Sequence, residues 1–233
     1  MTYSREAADA IHNSTKHGSE PQHPDRLVPY RRLDPANAPA RFKEYRGLSV
    51  TPLPRRLVTS SLPATSVLSG EKGEPPPQGL DASLVATLLY LSGGVTRTVG
   101  PSANPTFFRS AMSAGNLHPV ELYVVTGPDV DGIPAGVYHF APLQFGLTQL
   151  RSGDFRNALS VETSLAVVLT GLVWRTTWKY GERGWRHLYW DAGTLLANLL
   201  AAAAAHGLSP KILVGFEDES VARLVGVDGL EEV

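Results

Sequence analysis

The sequence predicts an α+β domain, with helices around a central sheet and an extended N-terminal arm in front of it. Three observations predict it. Eleven of the eighteen prolines fall before residue 78, and each fixes φ and removes a backbone donor. Between residues 120 and 173 the apolar residues alternate or run together as they do in strands. On either side of that stretch they recur at helical spacing.

Taken in order, Ser4–His17 reads as a short helix. Residues 18–79 read as a wrapping arm, closed by the stiff spacer Pro75-Pro76-Pro77. The chain thus divides into an N-terminal helix and Pro-rich arm, 1–79, and a compact body, 80–233. Asp81 or Ser83 can cap a helix with apolar positions Leu84, Val85, Leu88, Leu89 and Leu91, and Gly93-Gly94 stops it. Val120–Thr126 and Gly136–Phe140 read as neighbouring strands around a turn at Pro128–Pro134. Ser164–Val173 is a nearly continuous apolar run and reads as a buried central strand. Glu182–His206 is the longest helix, with His206-Gly207 as its C-cap. Its five alanines, Ala201–Ala205, suit close approach to another backbone. Lys211–Phe216 reads as a strand. Glu217–Leu224 reads as a short helix with acids in its first turn, where the dipole favours them.

Composition excludes several classes. The 233 residues are 42% hydrophobic and 18% charged, which rules out disorder throughout. The absence of cysteine excludes thiolate metal sites, cysteine nucleophiles and redox dithiols. A net charge of −1 gives no reason to expect a nucleic-acid partner. The longest apolar run, Leu195–Ala205, is broken by Asn198, whereas a membrane span needs roughly 20 such residues. Residues 1–6 lack the apolar core of a secretory signal, so cytoplasm is the expected location. Phosphate-loop, dinucleotide-fingerprint, nucleophile-elbow and zinc-helix motifs are all missing. His12, His17 and His23 read as surface imidazoles of the leader. His118, His139, His187 and His206 have no ligand spacing, so no metal is expected.

Two stretches could carry chemistry. Arg109–Pro119 is a run of small and polar residues entering the strand at Val120. Small residues let a backbone approach a flat ligand closely. Ser113 offers a hydroxyl, Asn116 complements an imide-like edge, and Arg109 can pair with a phosphate. The same run also suits an ordinary polar loop. The second stretch, Trp174–Arg186, follows the apolar run and precedes the long helix. Lys179 and Tyr180 are adjacent, so on a regular helix they point about 100° apart. On a turn before Gly181 they converge. A lysine cation beside a phenol favours the phenolate, which makes a usable proton acceptor or donor. Aromatic packing with snorkelling cations is the other reading of these residues.

Together these segments resemble a known family. Arg109–Pro119 is similar to the R-x-x-x-S-[AS]-G-x-L-H-P signature of the SagB-type dehydrogenases. These form the azoline-oxidase, McbC-like branch of the FMN-dependent nitroreductase superfamily. Trp178-Lys179-Tyr180-Gly181 with Arg183 resembles its W-K-Y-G-x-R segment, and Gly136–Phe140 its G-x-Y-H-Y strand. Asp191-Ala192-Gly193 resembles its D-A-G helix, and His12–His17 its H-x-x-T-K-H opening. The resemblance implies a nitroreductase-like fold with a mostly antiparallel central sheet, a homodimer and FMN as cofactor. It implies flavin contacts from Ser113, Ala114, Gly115 and Asn116, a phosphate or ring contact from Arg109, and proton handling by Lys179 and Tyr180. The implied activity is oxidation of azoline heterocycles in a peptide. A general NAD(P)H-dependent nitro or quinone reductase acting on a small molecule is the alternative, and a non-catalytic partner of a peptide-modifying complex is another. Ser60–Ser66 stands where the superfamily commonly has an Arg-Arg-Ser-x-Arg segment for the FMN phosphate, and Met112 where proline is common. Ending at Val233, the sequence reads as a half-length or truncated member.

Overall fold

A computed structural model describes residues 5–15, 32–159 and 161–233. Helix α1 spans Arg5–Thr15, close to the expected bounds. His17 and His23 of the leader lie outside the described residues. The arm contributes a short strand, β1 (Val50–Pro52), and a one-turn helix, α2 (Ala64–Leu68).

Helix α3 (Ala82–Gly93) starts where the capping residue places it. The Asp81 carboxylate accepts the Leu84 N–H at 2.7 Å. Leu84, Val85, Leu88 and Leu89 are all buried, each contributing about 1.5–3 kcal/mol. Asp81→Ala removes the cap, and the expected loss is about 1 kcal/mol in denaturant unfolding.

Strands β2 (Val95–Val99) and β3 (Thr106–Arg109) form a separate antiparallel hairpin. The main sheet has five strands in the order β1, β6 (Gly146–Ser152), β5 (Gly136–Ala141), β4 (Val120–Thr126), β7 (Leu165–Gly171), and every pairing is antiparallel. The long helix α5 (Gly184–Ala205) follows α4 (Val173–Tyr180) and a single 3₁₀ turn, Gly181–Arg183. Helix α6 (Asp218–Val225) ends at Gly226, whose φ of +76° is left-handed.

The period-2 alternation of β4 explains the two faces of the sheet. Leu122 and Val124 join Val85, Leu89, Phe140, Leu147 and Leu195 in the larger core. Tyr123 and Val125 point the other way, to Leu224 and Val225 of α6. A third cluster seats α5 on α3 through Leu84, Leu88, Leu199, Ala202 and Ala203. The alanine run therefore does lie against another helix.

Two expectations are corrected. The 164–173 run is not central: among the described residues β7 is the last strand of the sheet, half-buried over Leu165–Leu169, and only the segment 231–233 runs beside its far end, Val233 hydrogen-bonding Gly171 and Glu232 bridging Leu172. Its apolarity serves both layers instead, Leu165, Val167 and Leu169 facing one core and Ala166 and Val168 the other. Lys211–Phe216 is not a strand, and Ile212, Leu213, Val214 and Phe216 are exposed. β-Propensity needs a ladder partner, and among the described residues this segment pairs with no strand. Beyond β1 and α2 of the arm and helix α4, the β2–β3 hairpin and β6 were not expected. Both alternate weakly because their outer residues are exposed.

Candidate functional site

The β2–β3 hairpin delivers Arg109, and Ser110 then ties the chain to α3 by donating to the Tyr90 and Gly94 carbonyls. The loop that follows coils through three left-handed residues, Gly115 (φ +63°), Asn116 (φ +59°) and His118 (φ +47°). Glycine takes this conformation freely, but at Asn116 and His118 it costs of order 1–3 kcal/mol each and persists where the surroundings over-determine it. The surroundings here do so. Ser113 Oγ donates to Asp191 Oδ2 at 2.5 Å and accepts the His118 N–H at 2.7 Å. Asn116 Nδ2 donates to the Phe107 carbonyl at 2.9 Å, and its Oδ1 meets His118 Nε2 at 2.8 Å.

Helix α5 holds the loop from one face. Asp191 also accepts the Ala114 N–H at 3.3 Å, Thr194 Oγ1 donates to the Met112 carbonyl at 2.9 Å, and Asn198 Nδ2 donates to the Ser110 carbonyl at 3.3 Å. Positions 191, 194 and 198 share a helical face. Burial raises the Asp191 pKa, against the hydrogen bonds from Ser113 and Ala114.

The second stretch meets this loop. A Cβ placed on Gly115 would lie 2.6 Å from the Tyr180 hydroxyl and 2.8 Å from Lys179 Nζ. Both polar ends therefore converge on the one loop position without a side chain. The turn expected to bring them together is the final residue of α4. Lys179 is helical, whereas Tyr180 (φ −110°, ψ 5°) leaves helical geometry and swings its ring back. That ring lies 4.4 Å from the His187 ring, which lies 5.1 Å from Trp190.

One turn before Lys179, on the same helix face, Arg175 is 3% exposed. Its Nη1 donates to Glu121 Oε1 at 2.5 Å and to the His118 carbonyl at 2.8 Å, and its Nε to the Ala40 carbonyl at 3.0 Å. Glu121 is 2% exposed and also meets His139 Nε2 at 2.7 Å. Burial pushes Glu121 up, but Arg175 and His139 outweigh it and bring its pKa to about 2. Arg175 thus joins the arm, the loop, β4 and the helix of the lysine. A second buried network secures the arm beside it. Lys43 donates to Tyr123 Oη at 2.6 Å and to Glu232, and Tyr123 donates to Glu232 at 2.7 Å.

Of the expected site residues, Ser113, Ala114, Gly115, Asn116, Lys179 and Tyr180 come together. The Ser113 and Asn116 side chains are engaged in building the loop. Arg109 stands at its entrance, with its guanidinium 5.1 Å from the Phe42 ring centroid and Nη2 donating to the Arg41 carbonyl at 3.3 Å. Burial lowers its pKa to about 10, and Arg175 pushes the same way. Arg109, Ser113, His118, Asp191 and Leu195 line one depression. Sequence reasoning passed over Glu121 and Arg175. The i, i+4 spacing of Arg175 and Lys179 was a signal for one of them. Among the described residues no group of three His, Asp or Glu is arranged to hold a metal, and no helix is long and apolar enough to cross a membrane.

The cluster makes stability acid-sensitive. Burial first, then Arg109 and Arg175, hold His118 neutral and lower its pKa to about 3. Below about 6.5 the unfolded chain takes a proton that the folded chain refuses, so stability falls as pH drops from there toward 3. Glu121 adds to the loss below about 4.5. His118→Asn, which tolerates a positive φ, should flatten the upper part of this slope in denaturant melts between pH 6.5 and 4.5. The change should be less than the ~1.4 kcal/mol per pH unit of one full proton, because the imidazole is part solvated.

An antiparallel sheet with helices on both faces thus carries a small-residue loop that faces a lysine–tyrosine pair. The model of the Nitroreductase family matches residues 74–233, and the chain belongs to that family. The chain is 31% identical over 159 residues to the trifolitoxin-processing protein TfxB of Rhizobium leguminosarum bv. trifolii, a match covering 62% of this chain and 43% of TfxB. A nitroreductase structure from Anabaena variabilis superposes with a TM-score of 0.74 at 28% identity, over 97% of this chain and 44% of that one. The E. coli microcin synthetase McbBCD complex with truncated pro-MccB17 bound shares the fold, with a TM-score of 0.55 at 18% identity over 94% of this chain and 80% of that one. The chain thus spans less than half of TfxB and of the Anabaena protein.

Nitroreductases typically carry a flavin, and the loop fits one. The Lys179 ammonium and the Tyr180 hydroxyl stand at Gly115, and Arg109 lines the depression beside Ser113, so donors suited to a flavin's carbonyls and phosphate flank the loop. Ser60–Ser66 is placed elsewhere. Ser60 Oγ donates to the Ala205 carbonyl at 2.8 Å, about 20 Å along α5 from Asp191 at 1.5 Å per residue.

Proposed function

We propose that this chain is an FMN-dependent oxidoreductase of the SagB type that oxidises azoline heterocycles in a peptide substrate. The convergence of Lys179 Nζ and the Tyr180 hydroxyl on Gly115 carries the reading. The TfxB likeness and the fold shared with a microcin synthetase support a peptide substrate. The 113–116 backbone and Arg109 would hold the FMN, which supplies two-electron acceptance when bound. The chain's own residues do the rest. Removing two hydrogens from an azoline sends a hydride to the acceptor and leaves a proton, which the Lys179–Tyr180 pair takes. Asp191, through Ser113 and Ala114, fixes the loop so that the proton acceptor and the 113–116 backbone face one substrate. A homodimer and a cytoplasmic location belong to the same proposal.

The test is direct. The purified protein should be yellow, release FMN on denaturation, and consume oxygen with a heterocycle-bearing peptide. Lys179→Ala and Tyr180→Phe should each lower turnover on the order of 10²-fold, as loss of a general base does. A colourless protein that takes up no added FMN sinks the proposal. Turnover of nitroaromatics with NAD(P)H, but of no peptide, replaces it with the general reductase.

A further inference from the structure

Helix α1 is attached to the body in an unusual way. Of its described residues only Thr15 is buried. Its C-terminal end runs into two arginines of the α4–α5 corner. Arg183 Nη1 donates to the Thr15 carbonyl. Arg186 Nε donates to Thr15 Oγ1 at 2.7 Å, and its Nη2 to the His12 carbonyl at 2.5 Å, with His12 Nδ1 at 3.3 Å. These contacts use His12 and Thr15, two members of the opening that the site had not absorbed.

The corner needs such a hold. It is one 3₁₀ turn bounded by Gly181 (φ +57°) and Gly184. From inside it is secured by close approach: a Cβ on Gly184 would lie 2.6 Å from the Thr177 nitrogen. On the side facing α1, Arg183 and Arg186 place two cations three residues apart. Like charges so close repel, and Arg186 adds to the burial that lowers the Arg183 pKa. The carbonyl end of a helix carries about half a negative charge, and α1 brings that end to both guanidiniums. An isolated helix of eleven residues is marginal in water, so α1 and the corner depend on each other.

We propose that α1 is a strap across the α4–α5 corner, and that Arg183 and Arg186, by gripping its C-terminal end, are positioning residues that keep Lys179 and Tyr180 against Gly115. The functional part of this inference rests on the pair being catalytic. The mechanical part does not.

The experiment uses the full chain with Thr15→Val, which keeps the shape and removes the hydroxyl, and Thr15→Ser as the conservative control. Hydrogen exchange is followed over residues 5–15 and 173–184, and Lys179 labelling by an amine reagent is scored in parallel. Thr15→Val should speed exchange in both segments by on the order of tenfold and raise Lys179 labelling, while Thr15→Ser matches the parent. On azoline peptide, kcat should fall with KM unchanged. Faster exchange confined to 5–15 overturns the proposal, because the strap then holds nothing. Unchanged exchange in both segments, in Thr15→Val and also when Arg183→Met and Arg186→Met remove the bonds to the Thr15 and His12 carbonyls, overturns it too, because the arginines then grip nothing. If the parent protein turns over no peptide, the proposed reaction fails while the exchange data still decide the strap.

Discussion

Gly115→Ala should abolish most turnover and leave a folded protein. Two costs fall on the new methyl group. At φ +63° a side chain costs about 1–2 kcal/mol. The Cβ would also stand 2.6 Å from the Tyr180 hydroxyl and 2.8 Å from Lys179 Nζ, closer than contact allows. Both atoms are far ends of flexible side chains, so they move aside and the backbone stays. The expected result splits stability from function. The melting temperature drops by only about 2–4 °C per kcal/mol for a chain of this size. Turnover falls on the order of 10²-fold, because a misplacement near 1 Å at the reacting groups costs that much. Unchanged turnover would show that the pair does not act at this loop.

Arg175→Met should be the most destabilising single change in the site. It leaves Glu121 ionised and 2% exposed, with only His139 as partner. Removing one member of a buried pair costs about 3–5 kcal/mol, to which the lost donors of the His118 and Ala40 carbonyls add. Glu121→Gln in the same chain removes the stranded charge, so the double variant should recover part of the stability. Denaturant melts of the four proteins give the coupling directly. Additive effects would mean that the two groups do not meet.

Much of the fold was legible because local chemistry and tertiary packing agree. Asp81 caps α3, and the alternation of β4 does set its two faces. The 211–216 segment misled because its apolar residues have β-propensity but, among the described residues, pair with no strand. β7 misled because an apolar run signals contact with two layers, not centrality. At the site, the residue types were readable but their division of labour was not. Ser113 and Asn116 look like ligand contacts in sequence, yet their hydrogen bonds hold a left-handed loop together. Glu121 and Arg175 are 54 positions apart, so only the folded chain shows that they meet.

Helix α5 meets the loop at Asp191 and the arm at its other end, where Gly73 N–H donates to the Ala204 carbonyl at 2.8 Å. It therefore works as a ruler between two fixed marks. One residue added between them would turn Asp191 by about 100° and slide it 1.5 Å relative to the arm. Insertions and deletions should be purged from 191–204 and tolerated in the exposed stretch 211–216, which has no such marks to keep.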